Sequence, residues 1–101
     1  MPAERRQHSR FQVFLHLKIQ RAQTGSQPAE EEQTVAENLS RRGARVMTSM
    51  KVQRGEFLTV QEAGGSFRTR AEVRSVSIGR DGVSRLGLRF EREVPERLIS
   101  S

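Results

Sequence analysis

Period-two alternation of apolar and polar residues runs through most of this chain, and no helical period competes with it over any long window. Residues 67–78, FRTRAEVRSVSI, place Phe67, Thr69, Ala71 and Val73 on one face and Arg68, Arg70, Glu72 and Arg74 on the other. That pattern specifies a strand buried on one side and wet on the other. Residues 11–20, FQVFLHLKIQ, repeat it: Phe11, Val13, Leu15, Leu17 and Ile19 oppose Gln12, His16, Lys18 and Gln20, with Phe14 off parity. Shorter strands are expected at 34–38, 44–49, 57–61 and 83–91, the last with Leu86, Leu88 and Phe90 on one face. EAGGS (62–66) and GRDG (79–82) read as hairpin loops. Residues 21–33 read as a polar loop whose Glu30–Glu32 run is solvated. VPERLIS (94–100) has Pro95 at a first-turn position and starts a short terminal helix.

Six short antiparallel strands in 101 residues make a single all-β domain, a barrel or a compact sandwich. Closure into a barrel is the arrangement that leaves no sheet edge exposed. Charged residues reach 30%, but they alternate with the apolar ones, so a folded domain is expected rather than a disordered one. The absence of cysteine excludes disulfides and thiolate metal sites. Two histidines, His8 and His16, are too few for a metal centre, and no set of side chains has catalytic spacing. The reading is therefore of a non-enzyme with no metal. No apolar run approaches the roughly 20 residues that cross a bilayer, and no signal peptide is evident, so membrane insertion is not expected and a cytoplasmic location is.

The charge pattern points to an anionic ligand. Sixteen arginines and two lysines leave a net charge of +6. Arginine presents a planar fork suited to phosphate and to the guanine edge. The arginines cluster in two places. Arg5, Arg6 and Arg10 sit in ERRQHSRF (4–11), just before the first strand. Arg6 and Arg10 would lie roughly 13 Å apart in an extended chain, so they converge on one ligand only if the segment turns or the ligand has two separated anionic groups. The second cluster, ENLSRRGA (37–44), carries Asn38, Ser40 and Gly43. Asn38 has both a donor and an acceptor for a base edge, Ser40 a hydroxyl, and Gly43 either a positive φ or room for close backbone approach. Taken alone, each cluster also fits a blander use, a basic tail and an ordinary Asx/Ser turn.

Together, and in this order on a β-only chain, the two clusters resemble the PilZ domain, a bacterial receptor module for cyclic di-GMP. The family pattern is Arg-x-x-x-Arg followed by Asp/Asn-x-Ser-x-x-Gly, met here by Arg6 to Arg10 and by Asn38, Ser40 and Gly43; Gly87 and Phe90 match its late Gly-x-x-Phe strand. The resemblance implies a six-stranded antiparallel β-barrel over 11–91, a flexible ligand-binding segment at 1–10, and a tail or short helix at 92–101. It implies that Arg6 and Arg10 bind phosphate and guanine, that Asn38 accepts from guanine N–H groups where the family more often has Asp, and that Ser40 and the backbone near Gly43 complete the pocket. Arg5, just ahead of the motif, implies two ligands per domain. Arg41, Arg42, Arg45 and Arg74 are secondary contact candidates. Such a domain needs no cofactor beyond its ligand. It acts by changing its surface, including its N-terminal segment, toward a partner protein whose identity is open. Two other readings stand beside this one: a small basic barrel that binds RNA or single-stranded DNA, disfavoured by the lack of Tyr and Trp, and a PilZ-like interaction module that binds no nucleotide.

Overall fold

A computed structural model describes residues 15–23, 25–26 and 28–99. Six strands and one helical turn follow one another: β1 (Leu15–Arg21), β2 (Glu30–Ser40), β3 (Gly43–Thr48), β4 (Phe57–Glu62), β5 (Arg68–Ile78), β6 (Ser84–Phe90) and α1 (Glu96–Ile99). Every strand pairing is antiparallel, and the strands close in the order β1-β2-β3-β6-β5-β4, with β4 returning to β1. This is the expected barrel. Four of the turns use glycine at positive φ, at Gly25, Gly55, Gly64 and Gly82.

The alternation read from the sequence builds the core. Leu17, Ile19, Ala36, Val46, Leu58, Val60, Ala71, Val73, Leu86 and Phe90 point inward and are all but inaccessible. Phe67 meets Phe90 edge to face, with centroids 5.8 Å apart, at the end of the barrel where β2, β4 and β6 finish. Val94, Leu98 and Ile99 pack against the core. Arg97 of α1 ties the helical turn to the barrel: its Nη1 and Nη2 donate to the two Glu62 carboxylate oxygens at 3.0 and 2.8 Å. Met50 and Val52, in the connection after β3, add buried apolar surface at the opposite end.

Two expectations are corrected. β2 starts at Glu30 rather than at residue 34, so the acidic run is strand, not loop. Only Glu31 is exposed. Glu30 and Glu32 pair across from Arg21 and Ile19 and face the barrel mouth. Glu32 accepts hydrogen bonds from the hydroxyls of Thr48 and Ser49, and Glu30 pairs with Arg21. The run therefore works as polar lining for one end of the barrel. The second correction concerns parity. In β5 the regular alternation holds only to Val73; the register then shifts between Val73 and Ser75. A second shift falls in β2 between Ala36 and Asn38. Each is a β-bulge that places two successive residues on the outer face.

Candidate functional site

The two bulges shape the outer wall of the barrel across β2, β3, β6 and β5. In β2, Thr34 and Ala36 face inward, and unbroken alternation would send Asn38 and Ser40 inward as well. The bulge at Glu37 reverses this: Leu39 packs against the core while Asn38 and Ser40 are exposed. In β5, Val73 faces inward, and the bulge at Arg74 turns Ser75 and Ser77 outward. Neighbouring strands then align outward residues in rows, one of which runs Asn38, Arg45, Gly87 and Ser75.

These residues line a recess of about 530 Å³ on the barrel wall: Asn38, Ser40, Gly43, Arg45, Arg74, Ser75, Ser77, Arg85 and Gly87, with Ala44 and Leu88. The volume is in the range of small-molecule sites. Ser40 and Gly43 pair directly across a two-residue hairpin with Arg41 and Arg42 at its tip. The Ser40 hydroxyl donates to the Gly43 carbonyl at 3.3 Å. Gly43 does not adopt a positive φ. Its role is close approach, since a Cβ there would stand 2.6 Å from the Leu88 carbonyl oxygen. Gly87 works alike, its open side taken by the Ser75 hydroxyl.

Of the site residues expected from the sequence, the structure brings Asn38, Ser40, Gly43, Arg45 and Arg74 to this recess. Arg41 and Arg42 are not in its lining. They face Glu93 at 3.8 and 4.0 Å, and their carbonyls accept from Val94 and Phe90. Arg5, Arg6 and Arg10 lie outside the described residues, as does Phe14. Ser75, Ser77, Arg85 and Gly87 complete the recess without having been expected as site residues. Arg85 and Gly87 alternate with Leu86 and Leu88, so their outward parity was already visible in SRLGLRF. Ser75 and Ser77 depend on the bulge, which alternation alone does not reveal.

The three arginines of the recess differ in their pairing. Arg45 has no carboxylate partner among the described residues, and Arg74 has only Glu72, at 3.8 Å. Arg85 is held by Glu37 and Asp81 at 3.0 and 3.1 Å. Hydrogen bonds from Arg85, and then from the Val83 N–H, hold the Asp81 carboxyl down at about 2. The same Asp81 contact, followed by Glu37, raises Arg85 above its ordinary value. The recess thus presents two cations able to meet an anion, with amide and hydroxyl groups beside them. A larger recess of about 810 Å³ at the mouth near Ser49 and Gln53 includes Arg21, whose guanidinium is already taken by Glu30 and Glu56.

The PilZ domain family matches residues 4–100, a span that contains both the N-terminal arginines and the β2–β3 motif. The chain belongs to the PilZ domain family. No curated protein matches it. Among solved structures, that of the Bacillus subtilis inhibitor of motility (MotI/DgrA) is similar, with a TM-score of 0.66 at 22% identity. The match covers 89% of this chain and 46% of that one, so this PilZ domain spans about half the length of its structural neighbour, and the likeness is one of fold. Among the described residues, no helix is long and apolar enough to cross a membrane.

Proposed function

We propose that this PilZ domain is a receptor for cyclic di-GMP. The observation that carries the reading is the convergence of Asn38, Ser40 and Gly43 with Arg45 and Arg74 on one outer-wall recess. Cyclic di-GMP has two phosphates and two guanines. Guanine O6 and N7 match a guanidinium fork, and its N–H groups suit the Asn38 amide oxygen. On this reading Arg45 and Arg74 meet phosphate by charge-assisted contacts. The N-terminal arginines are the second half of the site on this reading. Leu15 pairs with Ala36, so the chain before β1 joins the barrel on the strand next to Asn38 and Ser40. Arg6 and Arg10 close on the ligand from that side, and Arg5 offsets the extra phosphate charge of a second bound ligand. The altered surface is then what a cytoplasmic partner protein recognises.

Titration with cyclic di-GMP tests this. The ligand is expected to bind at micromolar concentration with two molecules per domain and to raise the melting temperature, while GMP and a short oligonucleotide do so far less. Arg10→Ala is expected to abolish the shift and leave the fold intact. Binding that survives Arg10→Ala would remove the N-terminal arginines from the site, and one-to-one binding would remove the role given to Arg5.

A further inference from the structure

We infer that Arg85 is a stacking platform for a guanine base, held flat by the protein so that its face rather than its edge meets the ligand. The inference rests on the reading of the recess as a cyclic di-GMP site. A guanidinium has five N–H donors. In Arg85 all five are engaged by the protein: Nε with Glu37 at 3.0 Å, Nη1 with Asp81 at 3.1 Å and the Val83 carbonyl at 3.2 Å, and Nη2 with Asp81 at 3.1 Å and the Met47 sulfur at 3.9 Å. No donor remains for a phosphate or for guanine O6 and N7. Yet the side chain lines the recess and stays 20% exposed. With the edge occupied, the planar face is what a ligand meets, and guanidinium planes stack on aromatic rings.

Two further observations agree. Among the described residues no Phe lines the recess, so none of them stacks a base there. Gly79 lies against the guanidinium so closely that a Cβ would collide with Nη1. Arg85 is the end of a flexible side chain, but these five bonds, to β2, β3 and the β5–β6 turn, keep it from swinging away. Arg85 is thus distinct from Arg45, which has no carboxylate partner among the described residues and is suited to phosphate.

Asp81→Asn and Gly79→Ala separate a platform from a simple cation. Asp81→Asn takes a negative charge from beside the recess, so Coulomb attraction alone predicts tighter binding of an anionic ligand. A platform that loses its bidentate anchor predicts weaker binding, by about tenfold. Gly79→Ala displaces the guanidinium with no change of charge and is expected to weaken cyclic di-GMP by a similar factor. Loss of a phosphate contact lowers the salt dependence of binding, whereas loss of a stacking contact does not. Both variants are therefore titrated calorimetrically across a salt series, with circular dichroism to establish that they are folded. The expected result is a weaker Kd in both variants, with the wild-type salt slope in Gly79→Ala, whose charge is unchanged. Unchanged or tighter binding in folded variants, or a reduced slope in Gly79→Ala, overturns the platform while leaving the receptor reading intact. A wild-type protein that binds no cyclic di-GMP overturns both.

Discussion

Gly43 shows how little of a residue's use is set by its identity. Glycine in a turn motif suggests a positive φ, but here the backbone is ordinary and the demand comes from the Leu88 carbonyl on β6. That neighbour is backbone in a paired strand, so it has little room to give. Gly43→Ala is expected to destabilise the barrel by ~1–3 kcal/mol through overpacking. It is also expected to weaken cyclic di-GMP, because the β3–β6 register sets the positions of Arg45 and Arg85. Chemical denaturation and calorimetric titration check the two effects. Asn38 and Ser40 were singled out by residue type and spacing, and Arg45 as a secondary candidate, and all three line the recess. Arg85 was not singled out, since its engagement depends on Glu37, Asp81 and Met47, which lie 48, 4 and 38 positions away in the chain.

Strands carry the parity argument, and the bulges modify it. The alternation in 67–78 correctly predicts Thr69, Ala71 and Val73 as inward and Arg74 as outward, then fails at Ser75, because Arg74 is a residue added to β5 against β6. The failure has a use, because it turns Ser75 and Ser77 into the recess and keeps Val76 on the Leu86 face. A distinctive consequence follows for deletions. Removing Arg74 takes out the extra residue and leaves regular alternation, with Val73 and Val76 still on the inner face. Removing Glu72 instead turns Val73 outward and Arg74 inward. The Arg74 deletion is expected to melt cooperatively near the wild-type temperature, while the Glu72 deletion is unfolded or nearly so. Thermal melts followed by circular dichroism distinguish them. Equal damage from both would show that the bulge is needed for the fold itself.

The barrel as a whole is stoppered at each end by an ionised carboxylate, which ties its stability to pH. At one end, hydrogen bonds from Arg97 hold the Glu62 carboxyl below the usual range against the opposing effect of burial, helped by the Phe67 N–H. At the other, burial pushes Glu32 up, and hydrogen bonds from Thr48, Ser49 and the Met50 backbone outweigh it, so its value is also lowered. Both groups bind protons less readily folded than unfolded. Their contribution is therefore complete above the ordinary value of 4.5 and is lost as pH falls through their lower folded values. The melting temperature is expected to be flat with respect to these two groups from pH 7 to about 5 and to fall below that. A Glu32→Gln, Glu62→Gln variant should start lower and fall less over the same acid range. An acid profile unchanged by the double substitution would assign the loss to other carboxylates.

Alternation and glycine placement were enough to specify an all-β domain, its strand count and the inward-facing residues, because a strand's two faces are sorted by local hydrophobic periodicity. The paired motifs were enough to specify the family, since they carry the chemistry in residue type and spacing. The extent of β2, the two bulges and the pairing of each arginine were decided only on folding. Each depends on which strand lies alongside which: β1 and β3 give Glu30 and Glu32 partners, β6 sets the register against which Arg74 is surplus, and the union of β2, β6 and the β5–β6 turn immobilises Arg85. Apart from Asp81 with Arg85, those contacts join residues well separated in the chain, and no local pattern encodes them.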